Sequence, residues 1–198
     1  MSKLIQIFLA LCGLAFTLFP SQASAQTDSA LTKEAHPQIS VERDGQHDFD
    51  FDIGVWKTHI RRVLDPLSAS PDFIELNGTV TVRKVWGGRA QLEEIETDGP
   101  SGHWEGMTLF LYNPQSHQWS MNFANGKVGV LNTPLIGKFK DGRGELYAQD
   151  TVNGKSILVR GVWSDITVDS HRYEESYSDD GGKTWAQAFI ANLVREKA

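Results

Sequence analysis

Cysteine is almost missing from this sequence, with Cys12 standing alone. A lone thiol closes no intramolecular disulfide and builds no cysteine-ligated zinc site. Basic clusters are missing as well, and the chain carries a formal net charge of −6. Phosphate binding draws on grouped Lys and Arg, so a general nucleic-acid role is disfavoured, and such a charge ordinarily serves solubility. No Gly-x-Gly-x-x-Gly follows a strand and no P-loop occurs, which removes the usual phosphate cradles. The six histidines, His36, His47, His59, His103, His117 and His171, form no H-E-x-x-H or His-x-His arrangement, so no zinc or other metal site is signalled. A Gly-x-Ser-x-Gly nucleophile elbow is likewise lacking. After Gln46 no window of a dozen residues shows a helical apolar stripe.

What is present begins with an export signature. Lys3 precedes the apolar run Leu4 to Phe19, and Ala23-Ser24-Ala25 makes a small-residue cleavage site before Gln26. This is the pattern of a secretory signal peptide over residues 1–25, too short to span a membrane stably. Leu11 before Cys12 argues against lipid attachment there. Cleavage would remove Cys12 and Lys3, taking the net charge from −6 to −7. Residues 26–46 are polar, with Pro37 and Gly45, and read as a flexible lead-in. Residues 47–198 form one domain, long enough to bury roughly 70% of its unfolded surface without staples.

That domain reads as all-β. Strand-like segments recur between turns at Asn77-Gly78, Gly87-Gly88, Asn113-Pro114, Asp141-Gly142, Asn153-Gly154 and Asp179 to Gly182. Asn77-Gly78 fits either a hairpin turn or a bulge in one long strand. Lys127 to Leu131 and Leu135 to Lys140 read as weaker strands. Short strands joined by short hairpins suggest an antiparallel up-and-down barrel, which closes without leaving an edge. The stretch Asp48 to Trp56 leads into it. Phe49, Phe51 and Ile53 alternate with three aspartates, the period of a half-buried extended segment, and Trp56 would plug one barrel end.

The ordered set Asp48-Phe49-Asp50-Phe51, Gly54-Val55-Trp56, Gly87-Gly88-Arg89, Tyr112-Asn113-Pro114 and Ser178 to Trp185 resembles an uncharacterised secreted bacterial family with a calycin-like barrel. Gly54-Val55-Trp56 is similar to the Gly-x-Trp of the calycins, the lipocalin and fatty-acid-binding group. The resemblance implies a barrel of about eight to ten strands with room for a small ligand, and it supplies no activity. It also implies that Arg195, late in the last strand, stacks on Trp56, as a late arginine does in lipocalins. In nitrobindin, a distant calycin, a late histidine holds haem. His171 is the late histidine here, but it opens a strand, and no cofactor is expected. Ser178-x-Asp180-x-Gly182-x-Thr184-Trp185 matches the Asp-box of sialidase-like propellers. A single copy in a chain this short reads as a structural hairpin, with Asp180 bonding loop N–H groups, Gly182 turning and Trp185 covering.

Strand alternation then nominates an interior. Trp56 and Thr58 share a face, as do Tyr173, Glu175 and Tyr177; Glu94, Asn122, Tyr147 and Arg160 are further candidates for ligand contact. A buried Arg160 would need Glu94 or Glu175 as a partner. The leading expectation is an exported barrel, periplasmic or extracellular, that binds a small apolar or amphipathic molecule without catalysis. The alternative is an enzyme on the same barrel, with an interior Glu as general acid–base and Arg160 or Tyr147 holding developing charge. A protein–protein module using exposed aromatics is a third reading.

Overall fold

A computed structural model describes residues 43–197. The expected signal peptide lies outside the described residues. Ten strands run in chain order: β1 Gly54–Val63, β2 Phe73–Val85, β3 Ala90–Gly99, β4 Gly102–Asn113, β5 Gln118–Asn125, β6 Leu135–Lys140, β7 Arg143–Val152, β8 Lys155–Ser164, β9 Ser170–Ser178 and β10 Ala186–Arg195. Each pairs antiparallel with its neighbour, and β1 pairs with β10, from Trp56 opposite Arg195 to Arg62 opposite Phe189, so the sheet closes. Closure leaves no sheet edge open to pairing with another chain.

Alternation builds the wall. Along β1, Trp56, Thr58 and Ile60 are buried while Val55, Lys57, His59 and Arg61 are exposed. β6 shows the same period, with Leu135, Gly137 and Phe139 buried and Ile136, Lys138 and Lys140 exposed. Asn77-Gly78 lies inside the long β2 rather than in a hairpin. Gly78 fits there because a Cβ would overlap the Glu96 carbonyl oxygen and the Thr97 backbone on β3.

Two segments depart from the sequence reading. Lys127 to Leu131 is a turn tied to the sheet by one isolated bridge, Ala124 to Leu131. The N–H groups of Val128 and Gly129 both bond the Asn125 carbonyl, which curls the chain away from a ladder. The Asp48–Ile53 stretch is not extended either; it turns through a 3-10 helix at Asp50–Asp52. The alternation misleads because Phe49 and Asp52 are both fully buried within one compact plug.

That plug closes one barrel end. Phe49 packs edge-on against Trp119, Phe139 and Trp163, with ring centroids 4.8–5.2 Å apart. Side chains of the barrel take up the plug's backbone carbonyls. Trp119 Nε1 donates to Gly45 O at 2.9 Å, Gln91 Nε2 to Phe49 O at 3.0 Å and Trp56 Nε1 to Asp52 O at 2.7 Å. The Arg195 guanidinium donates to Phe51 O and Ile53 O, each at 2.9 Å. Asp44 and Gly45, read in the sequence as part of the lead-in, are also tied down: Tyr112 Oη donates to Asp44 Oδ1 at 2.7 Å and accepts from Gly45 N–H at 3.1 Å.

Arg195 reaches those carbonyls by lying across Trp56, its Cζ 3.9 Å from the ring centroid. Gly54, at φ +136°, leaves the path open, since a Cβ would stand 2.5 Å from Arg195 Nη1. The Gly-x-Trp and the late arginine therefore form one fastening. The Asp-box hairpin is a second local lock. Asp180 accepts from the N–H groups of Lys183 and Thr184 and from the Ser178 and Thr184 hydroxyls, which holds its carboxyl well below the usual carboxylate range.

Candidate functional site

The inward faces of the strands continue above the plug, but there they no longer fill the barrel. A cavity of about 360 Å³ occupies this half, within the size range of small-molecule sites. Its depth follows the register. From floor to mouth, β9 presents His171, Tyr173, Glu175 and Tyr177, and β1 presents Thr58, Ile60 and Arg62. Phe110, Phe123, Met121, Trp163 and Phe189 supply much of the wall, and the β5–β6 connection contributes Val128, Asn132 and Thr133.

Two carboxyl groups sit inside this apolar lining. Glu93 on β3 accepts from Thr108 Oγ1 at 2.6 Å. Burial, aided by the nearby Asp52 charge, pushes its pKa up to about 8. Glu175 accepts from Tyr173 Oη at 3.1 Å, and burial raises it above the ordinary glutamate range despite hydrogen bonds from Tyr173 and Tyr177. Both side chains are half-buried by area, yet the area left to them faces the cavity. The Tyr173 hydroxyl, shared between Glu175 and Met121 Sδ at 3.7 Å, is likewise pushed well up by burial and the Glu175 charge.

The floor of the cavity is polar and incompletely paired. His171 is buried, with Trp56 and Phe51 packed edge-to-face against it at 4.5 and 5.1 Å. Its Nε2 stands 3.2 Å from Asp52 Oδ1. That oxygen nevertheless lacks a well-directed hydrogen bond, so the two groups stand close without an aligned N–H···O bond. His171 Nδ1, Thr58 Oγ1 and Trp104 Nε1 also have no protein partner, and all three residues line the cavity. Buried polar atoms are normally satisfied by protein, water or ligand. Among the described residues, no three of His, Cys, Asp and Glu group in a way that could hold a metal ion.

The nominated residues divide between the two faces of the wall. Thr58, Glu175 and Tyr177 line the cavity, and Trp56 lies beneath it as part of the floor. Glu94 is exposed on the outer wall beside Glu96, Glu105 and Met107, facing away from the interior. Asn122 also faces outward, its amide donating to Leu109 O at 2.9 Å and to Ser120 Oγ at 3.0 Å. Arg160 stacks on Trp185, 4.3 Å from the ring centroid, and Tyr147 packs against the same tryptophan while donating to Glu145 at 2.6 Å. The aromatic cover of the Asp-box hairpin thus holds Arg160 and Tyr147 outside, and neither Glu94 nor Glu175 pairs with Arg160.

Sequence reasoning missed Glu93, Trp104, Thr108 and His171 as cavity residues, whereas Tyr173 lines the cavity on the face it was expected to share with Glu175 and Tyr177. The turn at Trp86–Gly88 sets the phase of β3, so Gln91, Glu93, Ile95 and Thr97 face inward while Leu92, Glu94 and Glu96 face out. Acidic residues on both faces hide that phase. The signal available was register: Gly87-Gly88 fixes where the hairpin turns, and counting inward from it separates Glu93 from Glu94.

No family model matches the chain, and no curated protein matches it. Among solved structures, it is similar to the S-type phycobiliprotein lyase CPES from Guillardia theta, with a TM-score of 0.54 and 12% identity over 79% of this chain and 95% of that one. Two designed proteins resemble it more loosely. A redesigned β-barrel, mFAP0, solved with DFHBI bound, gives a TM-score of 0.42 at 10% identity, covering 73% of this chain and 99% of that one. A fluorescence-activating β-barrel designed de novo gives 0.41 at 12% identity, covering 78% and 99%. At such identities the likeness speaks to fold alone, and the protein is a closed ten-stranded antiparallel β-barrel.

Proposed function

We propose that the protein binds one small apolar or amphipathic molecule in the upper half of its barrel. The observation that carries this reading is the cavity of about 360 Å³, walled by aromatic and aliphatic side chains and holding polar atoms without protein partners. Protein interiors are otherwise close-packed, and a hollow of this size forfeits contacts that a folded chain ordinarily makes. An occupant restores those contacts and pairs the convergent polar groups. The reading includes export, which rests on Lys3, the apolar run and Ala23-Ser24-Ala25. N-terminal sequencing of protein recovered outside the cytoplasm is expected to begin at Gln26. Native mass spectrometry of protein purified from its own host tests the binding reading. A small-molecule adduct lost on gentle activation supports it, and an unliganded protein that takes up no apolar compound counts against it.

A second reading has its own support. Glu93, with its pKa raised to about 8, is poised near neutrality as a general acid–base group is. Arg160 and Tyr147 take no part in it, because both stand on the outer wall. Thr108 beside Glu93, and Tyr173 and Tyr177 beside Glu175, are the hydrogen-bonding groups at the interior carboxyls. Once a turnover assay exists, Glu93→Gln separates the two readings. Retained ligand binding with lost turnover favours the enzyme, whereas unchanged turnover removes Glu93 from the chemistry.

A further inference from the structure

The charge inventory of the cavity is lopsided. Glu93 and Glu175 stand in the wall and Asp150 at the mouth, whereas Arg62 is the sole Lys or Arg among the described lining residues. Arg62 lies at the rim, where it is exposed and close enough to favour the charged form of Glu175. Arg160, the interior cation that the sequence suggested, lies outside on Trp185, and Arg195 lies beneath the floor on Trp56, as expected. The chamber is therefore acidic in composition, and no fixed cation within it answers Glu93.

The walls favour the same complement. Phe110, Phe123, Trp163, Tyr173 and Phe189 surround the chamber, and aromatic faces attract cations through the ring quadrupole. Trp104 stacks on Phe123 at 6.1 Å over Gly106, where any Cβ would strike both rings, so a flat aromatic ledge is built into the mouth. Thr58 and His171 are both nine-tenths or more buried, line the cavity, and keep Oγ1 and Nδ1 without protein partners. These atoms lie within the same chamber as the carboxyls and extend the polar surface available to an occupant.

We propose that the cavity is selective for an organic ammonium ion on an aromatic or aliphatic body, held by the Glu93 carboxylate and the aromatic wall. This deepens the binding reading above by naming the ligand class. The ammonium group pairs with the carboxylate that Glu93 presents once its proton leaves, and the apolar body fills the space over Ile60, Val80 and Leu193. An anionic occupant would find Arg62 at the rim as the sole Lys or Arg of the described lining, and a neutral one would gain hydrogen bonds and apolar contacts without an ion pair.

Proton linkage follows from the same geometry. The titratable groups near Glu93 are Asp52 from the plug and Tyr173 from β9, with His171 beside Asp52; Thr108 on β4 and Val82 on β2 are its register neighbours. Without a cation Glu93 holds its proton to about pH 8. Binding an ammonium ion displaces that proton into solvent, so affinity for the ion rises with pH up to that point. Between pH 6 and pH 8 the available carboxylate fraction grows by up to about fifty-fold.

The test uses matched probes on the purified mature protein: tryptamine, phenethylamine and octyltrimethylammonium against tryptophol, phenethyl alcohol and octanol, with indole-3-acetate as the anion. Titration calorimetry is expected to show each ammonium probe about tenfold or more tighter than its neutral counterpart, with indole-3-acetate weakest. Proton release should accompany the amines when buffers of different ionisation enthalpy are compared at pH 7. Glu93→Gln is expected to bring each ammonium probe down to the affinity of its neutral counterpart while leaving that counterpart unchanged. Ammonium probes that gain nothing over neutral ones, or that keep their gain in Glu93→Gln, overturn the proposal. If the neutral probes still bind, the apolar-ligand reading stands alone; if no probe binds, both readings fall.

Discussion

The two halves of the barrel interior are built from the same kinds of residue and end in opposite states. At the closed end, Trp56 and Trp119 both place their indole N–H on plug carbonyls, and Arg195 bonds two more while also donating to Val168 O at 2.8 Å. In the open half, Trp104 Nε1 and Thr58 Oγ1 have no protein partner, and two carboxyls are pushed up by burial. Gln91 Oε1 and Asp52 Oδ1 stand unpaired at the closed end as well, but its indoles and guanidinium are satisfied, as a structural floor requires, because an unpaired buried polar group costs about 1–3 kcal/mol. The same chemistry left unpaired around a hollow is what supports the proposed binding site. The comparison separates residues that hold the fold from residues that the proposed ligand would meet.

Substitutions can break that contrast, and the largest effect is expected at the floor. Trp56→Ala removes a fully buried ring together with the platform under Arg195. It is expected to cost about 3–5 kcal/mol of stability, read as a fall in the urea midpoint. In the open half, the pH dependence of stability carries the next effect. Folded Glu93 holds its proton up to about pH 8, against 4.5 as the reference value. The folded state therefore binds the extra proton between those values, so stability falls as pH rises from about 4.5 to about 8 and levels off above. Glu93→Gln should remove a pH-dependent loss of about 2–3 kcal/mol, allowing for solvent in the cavity, and so be more stable than the parent at pH 9. Glu175, also raised by burial, works in the same direction and leaves a residual slope.

Arg195→Lys keeps the charge but loses the planar fork that spans Phe51 O and Ile53 O. A loss of about 2 kcal/mol is expected in thermal unfolding, with cavity affinity little changed. The smallest effects belong to the outer wall. Glu94→Gln and Arg160→Ala are each expected to leave ligand affinity within about twofold of the parent, because surface changes remote from a site seldom exceed about 0.5 kcal/mol. A large loss of affinity in either would place ligand contacts on the outside and dissolve the distinction between the halves.

Much of the frame was legible because strands, turns and the Gly-x-Trp leave local marks. Gly87-Gly88, Asn153-Gly154 and Asp179 to Gly182 stand at hairpin turns, and the alternation over β1 assigns Thr58 and Ile60 to the interior. The plug was less legible. Its aspartates and phenylalanines alternate, yet the segment coils because its carbonyls are captured by Gln91 and Arg195, which lie far along the chain, as well as by Trp56 nearby. The site was half legible for a related reason. β9 shows its phase through Tyr173 and Tyr177, whereas β3 carries glutamates on both faces and hides it. Arg160 and Tyr147 read as interior because tyrosine and half-buried arginine suit a pocket equally well. Only the packing of Trp185 against both reveals them as the outer cover of a hairpin.

The central claim is that the hollow above the plug is a binding site, and filling it tests that claim most directly. Ala191 is a small buried residue of β10 that lines the cavity, and Ala191→Trp puts an indole into the space. The measurement is a fluorescence titration of the apolar probe N-phenyl-1-naphthylamine into the parent and the variant, with circular dichroism confirming that both retain the barrel. Saturable binding to the parent that weakens at least about tenfold in the folded variant is the predicted result. Equal binding to both, or none to the parent, would contradict it.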